Sequence, residues 1–99
     1  MKPVVFHPAA QEELEEAAAR YEALRTGLGQ EFRTEFEAAL ERIVQFPQSY
    51  GIELGEFRAC PLRRFPYTIF YIDLEDRTWL GAVAHQSRRP GYWARRRPN

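Results

Sequence analysis

Cysteine occurs once, at Cys60, lysine once, at Lys2, and histidine only at His7 and His85. A lone thiol forms no internal disulfide, and with two imidazoles so far apart in the chain it makes no spaced metal motif, so neither a metal nor any other cofactor is expected. Cys60 reads as a small core or strand residue. No apolar run approaches the ~20 residues that span a bilayer. The start Met1-Lys2-Pro3-Val4-Val5-Phe6-His7 also lacks the long apolar stretch of a signal peptide, so the expectation is a cytoplasmic chain without a membrane partner. With lysine nearly absent, positive charge falls to arginine. Its guanidinium stays protonated at neutral pH, so it clamps anions well and accepts protons poorly.

What is present is enough to fold. The 99 residues suit one domain, residues 1–99, with a single core, and an aromatic content of 14% argues against disorder. There are no repeats or low-complexity tracts. The net charge is zero, but it is unevenly spread. Residues 1–56 carry five basic side chains against eleven glutamates, and residues 57–99 carry nine arginines against three acidic residues. The first stretch is therefore at −6 and the second at +6, a dipolar chain whose basic part attracts nucleic acid or an acidic protein segment.

The apolar pattern predicts an α+β fold. Pro3-Val4-Val5-Phe6 reads as a first strand, and Pro8 fits the first turn of a helix, with His7 at the junction in a capping role. Ala10, Leu14, Ala17, Tyr21, Leu24 and Leu28 step by three or four as a buried stripe, with Glu12, Glu15, Glu16 and Glu22 facing water. Thr26-Gly27-Leu28-Gly29 breaks this helix. A second stripe, Phe32, Phe36, Ala39, Leu40 and Ile43, ends at Phe46-Pro47, so the two helices form an antiparallel hairpin. Residues 48–56 read as a loop. Three strands follow, Phe57–Leu62, a central Tyr67–Ile72 and Thr78–His85, with a polar turn at 73–77. The predicted order is β-α-α-β-β-β, with the helical hairpin packed on one face of a small, mainly antiparallel sheet.

The stretch from His85 to Arg97 packs an imidazole, five guanidinium groups, a phenol and an indole into thirteen residues. Arginine forks pair with phosphate and aromatic rings offer stacking faces, a mixture suited to an anionic polymer. The alternative is a solvated charged tail, against which stand Tyr92 and Trp93. In a three-stranded meander Arg58, Arg64, His85, Arg88 and Tyr92 would border one concave basic site, with Arg63, Arg89 and Trp93 as further binding residues. Alternatively, Arg63 and Arg64 only decorate a loop. Phe57, Tyr67, Trp79 and Trp93 are candidates for a partner surface, or else core.

Several segments together resemble the RelE/ParE family of toxins from type II toxin-antitoxin systems, whose members are often labelled plasmid stabilisation proteins. They are Val4-Val5-Phe6-His7-Pro8-Ala9-Ala10, Leu28-Gly29-Gln30-Glu31-Phe32, Phe46-Pro47, the run from Arg63 to Tyr71, and the ending from Ala82 to Arg96. The resemblance covers nearly the whole chain and implies the same helical hairpin on an antiparallel sheet. It also implies a toxin that arrests bacterial growth and is held inactive by a cognate antitoxin, through which alone operator DNA is contacted. RelE-like members cleave messenger RNA in the ribosomal A site; ParE-like members poison DNA gyrase without cutting anything.

On the RNA-binding, RelE-like branch the catalytic set would be His85 as base or acid, Arg64 and Arg88 as phosphate clamps with Arg58, and Tyr92 as stacking platform or proton donor. The strand lysines common in RelE-like nucleases are absent here, so that set does not carry over whole. The ParE-like branch needs only a binding surface of arginines and aromatic residues, and His85 then serves to hold the C-terminal segment. A third reading is a non-toxic orphan domain that keeps only the peptide-binding surface.

Overall fold

Val4–Phe6 forms a short first strand, β1, which hands the chain through His7 to the helix Pro8–Leu24, α1. The structure is a computed structural model and describes residues 2–98. His7 caps α1 as expected: its Nδ1 accepts the Ala9 N–H at 3.0 Å, meeting one of the donors that the first helical turn leaves open. Pro8 begins the helix, where a missing N–H costs nothing. Ala10, Leu14 and Ala17 are buried along the predicted stripe, but Leu24, the last residue of α1, is 73% exposed, and Leu28, the last of the stripe, begins the second helix instead.

The second helix, α2, spans Leu28–Gln45 and buries Phe32, Phe36, Ala39 and Ile43. It lies against α1 closely at Gly29, where an added Cβ would stand 2.5 Å from the Ala18 carbonyl oxygen. Glu22 secures the connection, accepting the Gly27 N–H at 2.9 Å and the Gly29 N–H at 3.1 Å. An ion pair between Arg33 and Glu15 bridges the hairpin further along.

The remaining strands are β2 (Ile52–Leu54), β3 (Phe57–Pro61), β4 (Tyr67–Asp73) and β5 (Thr78–His85). Together with β1 they form one sheet in the order β1-β5-β4-β3-β2, so the Tyr67–Asp73 strand is central, as its two apolar faces predicted. All neighbours are antiparallel except β1, which runs parallel to β5. β2 lies inside the stretch expected to be a loop. All three of its residues are exposed, so no alternation of apolar and polar positions marks them; pairing of Leu54 with Phe57 around the Gly55 turn makes the strand.

Register places the side chains on two faces. The helix face carries Cys60, Tyr67, Ile69, Tyr71, Leu80 and Val83 against the aromatic stripes of α1 and α2. Burial pushes the Cys60 thiol up, in keeping with an inert core residue. The opposite face carries Phe57, Phe70, Ile72 and Trp79, and its cover is the C-terminal coil through Trp93. Between Phe70 and Tyr71 the pairing with β5 slips by one residue, leaving Gly81 as the extra residue of a bulge. A side chain there would collide with the Phe57 ring, 2.5 Å from the added Cβ.

Candidate functional site

β1 covers the outer edge of β5 only as far as Leu80, whose carbonyl accepts the His7 N–H at 2.8 Å. Beyond it the backbone groups of β5 need other partners. Glu13 of α1 accepts the Val83 N–H at 3.0 Å, and Arg96 donates to the Gly81 carbonyl at 2.8 Å. The two side chains also pair with each other, Arg96 reaching both Glu13 oxygens at 3.0 Å. Tyr92 adds a third bond, its hydroxyl donating to Glu13 Oε2 at 2.6 Å. Burial first, and then the Glu13 carboxylate, push the Tyr92 phenol well above its usual range. Arg88 lies over the other side of this assembly, its guanidinium 4.1 Å from the centre of the Tyr92 ring.

His85 ends β5 opposite Tyr67, and the two rings meet edge to face at 5.0 Å. Its Nδ1 accepts the Ser87 N–H at 3.0 Å, so the neutral ring carries its proton on Nε2. That nitrogen is a donor and not a base while the Ser87 bond is made. Around it lies a polar cavity of about 240 Å³ bounded by Glu13, Glu16, Arg20, Tyr67, Ser87 and Arg88. A second, larger hollow of about 400 Å³ opens on the sheet face away from the helices, floored by Thr68, Phe70 and Ala84. Arg88, Arg89 and Leu54 stand on its rim. It continues towards β2 past Ile52 and Pro61.

The predicted residues therefore fall into two groups. His85, Arg88, Arg89 and Tyr92 are brought together at one end of the sheet. Arg58 lies at the far end, while Arg63 and Arg64 sit in the neighbouring β3–β4 turn but are engaged by α2. Arg58 pairs in register with Tyr71, four residues along β4 from the partner of His85, which is roughly 13 Å at ~3.3 Å per residue. It faces the helices there and donates to the Tyr50 carbonyl at 2.7 Å. Arg64 turns to the start of α2, pairing with Glu31 at 2.8 Å, and Glu35 accepts the backbone N–H groups of Arg63 and Arg64. The β3–β4 turn is thus fastened to α2, although it stands at the same end of the sheet as His85, where the Gln86 N–H donates to the Pro66 carbonyl at 2.8 Å. Trp93 borders the larger hollow, but its ring is engaged within the protein. It is buried, stacked on Phe70 at 3.9 Å between ring centres and touching Phe57 at 4.8 Å, so both partners of its ring are the protein's own.

Glu13 and Arg20 were missed. The sequence held a signal for Glu13: it stands three residues after Ala10 and four before Ala17, inside the apolar stripe, where a carboxylate needs a partner. Among the described residues no three His, Cys, Asp or Glu side chains converge to hold a metal ion. None of the helices there is long and apolar enough to cross a membrane.

Residues 4–90, from β1 to the turn after β5, match the family described as the ParE toxin of the type II toxin-antitoxin system parDE. The chain belongs to the ParE toxin family. It is thus a toxin of the type II class. A solved structure of the chromosomal ParDE toxin-antitoxin system from P. aeruginosa is similar in fold, with a TM-score of 0.63 over 86% of this chain and 96% of that one. The two sequences are 14% identical, so the likeness is one of architecture. No curated protein matches the chain. The ParE assignment covers the scaffold and the His85–Arg88 turn, while Tyr92, Trp93 and Arg96 lie beyond the matched residues.

Proposed function

We propose that this ParE-family toxin arrests growth by binding DNA gyrase, through the rim formed by Arg88 and Arg89 on the sheet face, and that it cuts nothing itself. A cognate antitoxin neutralises it by covering the same end of the sheet. The observation that carries this reading is the dispersal of the arginines, with Arg58 tied to Tyr50 and Arg64 to Glu31. Cleavage of RNA by its 2′-hydroxyl needs a base on one side of the phosphate, an acid on the other and a positive clamp between. Here the neutral His85 ring carries its proton on Nε2, the Tyr92 hydroxyl is bonded to Glu13, and of the three expected clamps Arg58 lies at the far end of the sheet and Arg64 is engaged by Glu31. A binding surface requires none of these.

The test is expression of the chain without its antitoxin, with the purified toxin added to a supercoiling assay. Growth arrest, loss of supercoiling and intact transcripts are expected. The Arg88→Ala, Arg89→Ala double variant should weaken inhibition by about tenfold or more, as for loss of two charge-assisted contacts. Arrest with shortened transcripts, abolished by His85→Ala, overturns the gyrase reading in favour of a nuclease. Unimpaired growth at verified soluble expression leaves only the orphan domain.

A further inference from the structure

Four donors converge on one carboxylate at the open edge of β5. The Val83 N–H and one arm of Arg96 meet Glu13 Oε1, and the Tyr92 hydroxyl and the other arm of Arg96 meet Oε2, all within 3.0 Å. Glu13 and Arg96 are both mostly buried, with side chains 13% and 18% exposed, so solvent screens this pair less than the ion pairs on the helical hairpin. Through Tyr92 the same carboxylate reaches Arg88, whose guanidinium rests on the ring.

We propose that Glu13 is the positioning residue of this toxin: it stands in for the strand that β1 does not extend, latches Tyr92 and Arg96 to the sheet edge, and thereby sets the pose of the Arg88–Arg89 rim. The functional half of this rests on the reading of that rim as the target-facing surface. Glu13 touches no target. Glutamine replaces it poorly, because its amide offers one oxygen to four donors and, whichever way it is turned, sets its own N–H groups against an arm of the Arg96 guanidinium. The raised phenol of Tyr92 supports the latch, since both burial and the neighbouring carboxylate oppose a second negative charge there.

The experiment compares the whole chain with E13Q, Y92F and the R88A/R89A double variant. Three readouts are used: amide hydrogen exchange, titration of ring-labelled Tyr92 by NMR, and supercoiling inhibition. E13Q should speed exchange at Ala94 and Arg96, whose N–H groups close the turns of the C-terminal segment, by about tenfold while α2 and β4 stay within about twofold. The Tyr92 phenol should fall towards its ordinary value, and the toxin concentration for half-inhibition should rise about tenfold, with Y92F between E13Q and the unmodified chain. Unchanged exchange in the segment, or equal acceleration of every amide, overturns the proposal, the second outcome making Glu13 merely structural. A loosened segment with undiminished inhibition also overturns it where R88A/R89A does lose inhibition. If R88A/R89A has no effect, the target-surface reading fails by itself, and exchange together with the Tyr92 titration decides the latch.

Discussion

The sheet face under α1 and α2 buries Phe32, Ile69, Tyr71 and Leu80 beneath two helices, whereas the opposite face buries Phe57, Phe70 and Trp79 beneath one coil that carries Trp93. The first cover is regular structure, hydrogen-bonded within itself and pinned by Glu22 and the Arg33–Glu15 pair. The second is held by ring stacking on Phe70 and by the Glu13 latch. The arginine-rich segment is therefore part of the fold as well as part of the surface. A residue there can be lost to function through the core, and Trp93 is the place where the two roles meet.

The largest effect should come from the thick cover. Phe32→Ala removes a fully buried ring in contact with Tyr21, Phe65 and Tyr67 and is expected to cost about 3–5 kcal/mol in chemical denaturation. Trp93→Ala is expected to cost less, about 2–3 kcal/mol, because a coil relaxes into a vacated site more easily than two packed helices do. Its signature is regional: protection of amides in the C-terminal segment should vanish while those of α2 persist. Equal global loss in both variants would break the distinction between the faces.

Alkaline pH probes one tyrosine beneath the helices, Tyr71, and one in the coil, Tyr92. Burial pushes Tyr71 up to about 12, and Tyr92 is raised further by burial and Glu13. Both phenols keep their protons in the folded chain at pH values where the unfolded chain, with an ordinary phenol near 10, has lost them. Their contribution is thus complete below pH 10 and declines as pH rises from there through about 12. Denaturation at stepped pH should show stability falling over that window, and Tyr92→Phe should make the fall shallower. An identical slope in Tyr92→Phe would remove Tyr92 from the argument.

The smallest effect is expected at Arg64, which belongs to neither cover. Its pair with Glu31 lies in solvent, and Arg64→Ala should leave the chemical-denaturation midpoint essentially unchanged. On the gyrase reading it should also leave inhibition intact, whereas loss of inhibition would bring Arg64 back into the site.

Much of the architecture was legible because the signals are local. The 3.6-residue stripes, the His7-Pro8 start, the glycines at 27 and 29 and the Phe46-Pro47 stop each act over one helical turn. The family resemblance, carried by ordered short segments, was legible for the same reason. β2 was not, since an exposed three-residue strand owes its existence to the backbone of β3. Arg58 was misplaced because alternation along β3 says which face a residue takes only once register is known, and register put it on the helix face at the far end. Glu13 was visible as an anomaly, a carboxylate inside an apolar stripe, but its four donors come from β5 and from residues some eighty positions later.

The amino-acid order alone determined the elements, their succession and the concentration of arginine near the carboxyl end, because helix and strand periodicity and charge are properties of neighbours in the chain. Only the tertiary structure decided which arginines share a surface, that Trp93 is packed into a core, and that Glu13 takes the place of a missing strand residue. Those outcomes depend on register, on one bulge at Gly81 and on where β1 stops, and each is set by contacts between segments that the chain keeps far apart.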